Sequence, residues 1–156
     1  MFQIHALAAE PFRDLFILDD QELATRRARR MTVDCHPGYP CRVSLADAEI
    51  GERVILLHFE HLPTDSPYRS SHAIFVREEA QQAQPAPGEL PEVLTRRLLS
   101  VRAFDRHQMM ITADVVKGRE AATAIETLFE EPRVDQLHLH YAKPGCFAAR
   151  VTRRVD

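Results

Sequence analysis

The segment Arg53 to Glu60 carries apolar side chains on both alternating sets, Val54 and Leu56 on one, Ile55, Leu57 and Phe59 on the other. A strand of that kind cannot face water on either side, so it belongs inside a sheet covered on both faces. The rest of the chain has to supply that cover. With 156 residues, 45% of them apolar and 28% charged, it has an ordinary globular composition and can bury about two thirds of its unfolded surface. The expectation is a single domain over 1–156, with Arg53–Glu60 as its central strand.

The elements on either side are short. Phe2 to Leu7 reads as a first strand, and Pro11 suits the first turn of a helix that buries Phe12, Leu15 and Phe16. Asp19 with Glu22 has the capping-box spacing for a second helix through about Arg27. Arg29 to Val33 reads as a strand, and Ser44 and Asp47 can cap a single turn. After a polar loop, Leu62 to Ser71, another strand runs from His72 to Glu78. The proline-rich stretch Gln81 to Pro91 is a loop.

A short helix near Pro91 to Arg97 precedes a hairpin, Leu98 to Phe104 with Met109 to Val116. Ala121, Ile125, Leu128 and Phe129 mark the buried stripe of a helix ended by Pro132. Strands Val134 to Tyr141 and Cys146 to Arg153 flank a Pro144-Gly145 turn. Short connections call for antiparallel pairing. The fold class is therefore α+β: a mostly antiparallel sheet of about six to eight strands with two to four helices packed on it, and a C-terminal half of the form β-β-α-β-β.

Composition narrows the partners. A net charge of -3, from 20 Lys+Arg against 23 Asp+Glu, gives no global field for nucleic acid. The one basic cluster, Arg26, Arg27, Arg29 and Arg30, lacks interleaved aromatics and fits the end of a helix. No apolar run approaches the roughly 20 residues of a membrane helix, and Met1 to Ala9 has no basic start or long apolar segment. An odd set of cysteines, Cys35, Cys41 and Cys146, favours reduced thiols and a cytoplasmic location. A Cys41–Cys146 bridge is the alternative.

The last hairpin holds the densest chemistry. Leu137, Leu139 and Tyr141 point one way, and Gln136, His138 and His140 the other. Matching the apolar set to Phe147, Ala149 and Val151 sets Leu139 against Phe147, His140 against Cys146 and His138 against Ala148. Opposed side chains lie within about 5.5 Å at Cβ, so imidazole and thiol can touch. The pair suits a nucleophilic Cys146 with His140 as its acid or base, or a metal held by His138, His140 and Cys146. The plain alternative is a solvated sheet face.

Two loops complete the set. Cys35 to Arg42 packs prolines and a glycine into a stiff frame, and Pro63 to His72 offers Asp65, Ser66, Tyr68, Arg69 and His72, groups suited to a polar or anionic ligand. Solvated or purely connecting loops are the alternative for both. No phosphate-binding glycine loop, nucleophile elbow or His-Glu-x-x-His helix occurs, so no cofactor is indicated.

The strings Pro37-Gly38-Tyr39-Pro40-Cys41-Arg42-Val43-Ser44-Leu45, Gly51-Glu52-Arg53-Val54-Ile55-Leu56-Leu57, Ser66-Pro67-Tyr68-Arg69, Ile74-Phe75-Val76-Arg77 and Gly145-Cys146-Phe147-Ala148 resemble a bacterial family catalogued only as domain of unknown function twelve-oh-three. The resemblance runs almost the whole chain and implies a single-domain bacterial protein with no activity to transfer. The residues themselves point first to a pocket for a small polar or anionic ligand, built from Cys41, Arg42, Tyr68, Arg69, His138, His140 and Cys146. A non-catalytic module that forms a homodimer or meets a protein partner is the second expectation, and a His/Cys metal site the third. Whether the chain is an enzyme is left open at this point.

Overall fold

The computed structural model describes residues 1–154. Its elements are β1 (Phe2–His5), α1 (Glu10–Arg13), α2 (Asp20–Thr25), β2 (Ala28–Thr32), β3 (Arg53–Leu62), β4 (Ser70–Arg77), α3 (Glu92–Thr95), β5 (Leu98–Phe104), β6 (Met110–Lys117), α4 (Ala121–Phe129), β7 (Gln136–Tyr141) and β8 (Phe147–Arg153). Pairing between these strands is antiparallel throughout. The class is α+β, and β5, β6, α4, β7 and β8 give the expected β-β-α-β-β half. The eight strands divide between a five-stranded sheet, ordered β1-β8-β7-β5-β6, and a three-stranded sheet, β2-β3-β4.

β3 is the middle strand of the smaller sheet and is covered on both faces, as its two apolar sets require. Ile55 and Leu57 pack with Phe12, Leu23, Cys41 and Ile74, while Val54 packs with Val33, Tyr39 and Ala48 on the other side. The capping box of α2 is formed, with Glu22 N–H donating to Asp19 at 2.8 Å and Asp19 N–H to Glu22 at 2.9 Å. Arg30 turns back on that helix, donating to Asp20 and to the carbonyls of Phe16 and Leu18.

The larger sheet has its own core. Ala121, Ile125 and Phe129 of α4 pack on Leu99, Val101, Leu137, Leu139 and Val151. Full burial of a side chain such as Ile125 stabilises by about 1.5–3 kcal/mol. Gly118, just after β6, is required by close approach: a Cβ there would collide with the carbonyl oxygens of Leu94 and Arg97.

The register of the last hairpin corrects the sequence expectation. Leu139 opposes Ala149, His138 opposes Arg150, and a bulge at the turn end sets His140 against Phe147. The extra residue in β8 reverses side-chain parity, so Phe147 leaves the apolar set and joins the histidine face. That face is also not a solvated surface. All six residues of β7 are buried, His138 at 1% and His140 at 0% exposed, because the smaller sheet lies over it.

The two sheets are stitched together by the chain around Arg42. Leu7 N–H donates to Arg42 O at 2.9 Å and Arg42 N–H to Phe75 O at 3.1 Å. This places Arg42 between the end of β4 and the β7–β8 turn.

Candidate functional site

Arg42 is 1% exposed, and its side chain crosses from one sheet to the other. Nε donates to Phe147 O at 2.7 Å, Nη1 to Pro40 O at 2.5 Å and Nη2 to Cys146 Sγ at 3.0 Å. The guanidinium also lies 4.9 Å from the centre of the Tyr141 ring, with Arg97 at 5.2 Å from the same ring. No carboxylate among the described residues pairs with Arg42. Asp47 is engaged by Arg97, which donates to both its oxygens.

Arg42, Tyr141 and Cys146 line a cavity of about 600 Å³ at the junction of the sheets. Lys143 lines it together with Arg96 and Arg97, which are ion-paired to Glu92 and Asp47, and no acidic side chain is on the lining; Leu56, Phe75, Leu98 and Pro144 make its walls apolar. The Tyr141 hydroxyl is buried without a hydrogen-bond partner. Burial pushes the Tyr141 phenol up to about 12, against the opposing pull of Arg42 and Arg97, so at neutral pH it keeps its proton and can donate.

His72 also lines the cavity and connects it to a cluster of imidazoles behind. His61 stacks on His72 at 4.9 Å and on Phe147 at 4.8 Å, and meets His140 edge-on at 4.9 Å. Two bulges build this cluster. One, between Glu60 and Leu62 of β3, places His61 beside Ser70, whose Oγ is 3.0 Å from Nε2; the other brings Phe147 opposite His140.

Within the cluster, His61 Nδ1 lies 3.1 Å from His138 Nδ1. His140 Nδ1 lies 3.0 Å from Gly145 O, which fixes the proton on that nitrogen because a carbonyl can only accept. His140 Nε2 is left as an acceptor with no partner, and His72 Nδ1 is likewise buried and unpartnered. Burial, reinforced by Arg102, holds His61 at about 3, His138 at about 4 and His140 at about 2; burial lowers His72 as well. The rings are neutral at physiological pH.

The expected pocket residues therefore separate. Arg42 and Cys146 share the cavity, with His138 and His140 behind it in the imidazole cluster. Cys41 is 0% exposed in the core, its sulfur accepting from Ser44 N and Arg77 N. Arg69 is paired with Glu60 at the surface, and Tyr68 packs edge-on against Phe104. All three cysteines are free, so the alternative Cys41–Cys146 bridge is absent.

The group of potential metal donors found among the described residues is His61, His138 and His140; Cys146 instead accepts from Arg42. Sequence reasoning missed His61 and gave His72 only a loop role. Their signal was position: the two rings flank the loop of one hairpin, with His72 directly opposite Phe59.

No helix among the described residues is long and apolar enough to cross a membrane. A family model described as "Protein of unknown function (DUF1203)" matches residues 38–153, a span that contains the cavity and the imidazole cluster. No curated protein and no solved structure matches the chain.

Proposed function

We propose, for a chain that belongs to the DUF1203 family, that it binds a small amphipathic anion, a carboxylate or phosphate group on an apolar body, in the cavity between the two sheets. The observation that carries this reading is the pairing on the cavity wall of two buried groups that lack a complement. Arg42 is a buried cation with no carboxylate partner among the described residues, and Tyr141 is a buried hydroxyl with no acceptor.

The unpaired Tyr141 hydroxyl costs about 1–3 kcal/mol, and an oxyanion would accept from it while balancing the charge of Arg42. Of the five N–H groups of a guanidinium, Arg42 directs three to protein acceptors, which leaves two for a ligand. Lys143 adds to the attraction, while Arg97 is held by Asp47 and Arg96 by Glu92. The apolar walls suit a ligand whose remainder is aromatic or aliphatic, and 600 Å³ is the size of a pocket for a small metabolite.

Charge reversal at the exposed rim tests the reading without touching the fold. Thermal-shift titration with phenyl phosphate is expected to show saturable stabilisation of the wild-type chain. Lys143→Glu, at an exposed turn position, should weaken it about fivefold to tenfold with an unchanged melting temperature before ligand is added. Equal affinity in wild type and variant, or no saturable shift in the wild type, would remove the proposal.

A further inference from the structure

We infer that His61, His138 and His140 form a binding site for one divalent transition-metal ion, held by three neutral imidazoles behind the cavity. One potential ligand nitrogen from each ring lies within 4.8 Å of the other two. His61 Nδ1 and His138 Nδ1, 3.1 Å apart, would subtend about 100° at an ion with bonds of about 2.0–2.1 Å, an angle that tetrahedral and octahedral coordination both accept. Nitrogens on one tetrahedral ion of this bond length lie about 3.4 Å apart, so the third ring has to close by up to about 1.4 Å from a separation within 4.8 Å.

The cluster already has the outer hydrogen bonds that metal-bound histidines use. His140 Nδ1–H donates to Gly145 O, which commits the lone pair of Nε2, and Nε2 is buried with no other partner. Ser70 Oγ sits on the far nitrogen of His61. A hydroxyl both donates and accepts, so it serves the His61 tautomer that hydrogen-bonds to His138 and equally the one that leaves Nδ1 free for a metal. Such partners orient the rings and set their basicity.

The ligand set also selects the ion. Three imidazoles without a carboxylate suit zinc, cobalt, nickel or iron(II) and are poor for calcium or magnesium, which take oxygen ligands. His138 lies opposite Arg102 on β5 and Arg150 on β8, so an ion here needs an anion beside it. The ring of His72 separates the cluster from the basic cavity. The metal site is independent of the anion reading: it is measured with no ligand in the cavity, and either can fail alone.

The experiment uses untagged full-length protein stripped with a chelator and titrated with cobalt(II), followed by visible absorption and by metal analysis after dialysis. One cobalt per chain, with ligand-field bands of nitrogen coordination and displacement by zinc, is the expected result. His138→Gln and His61→Gln should each bind at least about 100-fold more weakly, while the exposed control His107→Gln binds as the wild type does. Should one of the two core variants fail to fold, the other carries the comparison. Substoichiometric uptake by folded wild-type protein, or undiminished uptake by a folded core variant, would overturn the assignment.

Discussion

Arg42 Nη2 lies 3.0 Å from Cys146 Sγ, across 104 residues of sequence. This contact ties the loop before β3 to the turn between β7 and β8, and Arg42 makes two further bonds to the backbone on either side of it. A guanidinium reaches acceptors in three directions within one plane, which an ammonium cannot do.

Replacing Arg42 should therefore unfold more than it empties. Arg42→Met leaves the carbonyls of Phe147 and Pro40 without their donors, at about 1–3 kcal/mol for each buried group. Urea denaturation should show a loss of at least about 2 kcal/mol, and Arg42→Lys should recover little of it. A neutral result for either variant would mean that Arg42 does not join the sheets.

Tyr141→Phe has the opposite expectation. The hydroxyl is buried and unpartnered, so its removal should leave the urea midpoint unchanged or raise stability by up to about 1 kcal/mol. The same substitution should weaken phenyl phosphate binding, since it deletes a donor from the cavity. Loss of stability would show that the hydroxyl has a partner in the folded protein.

Much of the scaffold behind these groups was legible in the sequence. The double-sided apolar pattern of Arg53–Glu60 marked β3, the Asp19–Glu22 spacing marked the cap of α2, and the alternation through Leu137, Leu139 and Tyr141 placed His138 and His140 on one face. Burial of that face was not legible, because its cover comes from β3 and β4, far away in sequence. Register failed at each expected pair of the last hairpin: Leu139 and His138 are offset by two residues, to Ala149 and Arg150. Parity arguments assume regular pairing, whereas the bulge just after Phe147 adds a residue. The same kind of irregularity hid His61, one residue beyond the expected end of its strand. Arg42 was read as a ligand-binding residue of a stiff loop, while its bridging of two sheets depends on contacts that no local pattern encodes.

Acid should destabilise the metal-free protein earlier than carboxylate titration alone would. His61, His138 and His140 fall from 6.5 to about 3, 4 and 2 on folding, so the unfolded chain binds more protons between these values. Their contribution to stability is full above 6.5 and is lost progressively as pH falls below it toward the folded values. Urea midpoints at pH 8, 6 and 4.5 should decline in that order, and His61→Gln should flatten the decline. A pH-independent midpoint down to about pH 5 would contradict the neutral, buried state of these rings.

Gly118→Ala should destabilise by about 1–3 kcal/mol, because the added methyl meets the carbonyl oxygens of Leu94 and Arg97 and the backbone must shift to admit it. Thermal melting measures this directly, and an unchanged melting temperature would show that α3 and the end of β6 are not pressed together.

Calorimetric titration of the wild-type chain with phenyl phosphate, benzoate and benzyl alcohol tests the anion site most directly. The three share an aromatic body and differ in charge. One molecule of phenyl phosphate or benzoate should bind per chain, at least about tenfold more tightly than benzyl alcohol, a difference of about 1.4 kcal/mol. Binding of the alcohol as tight as that of the anions, or no saturable binding of either anion, would contradict it.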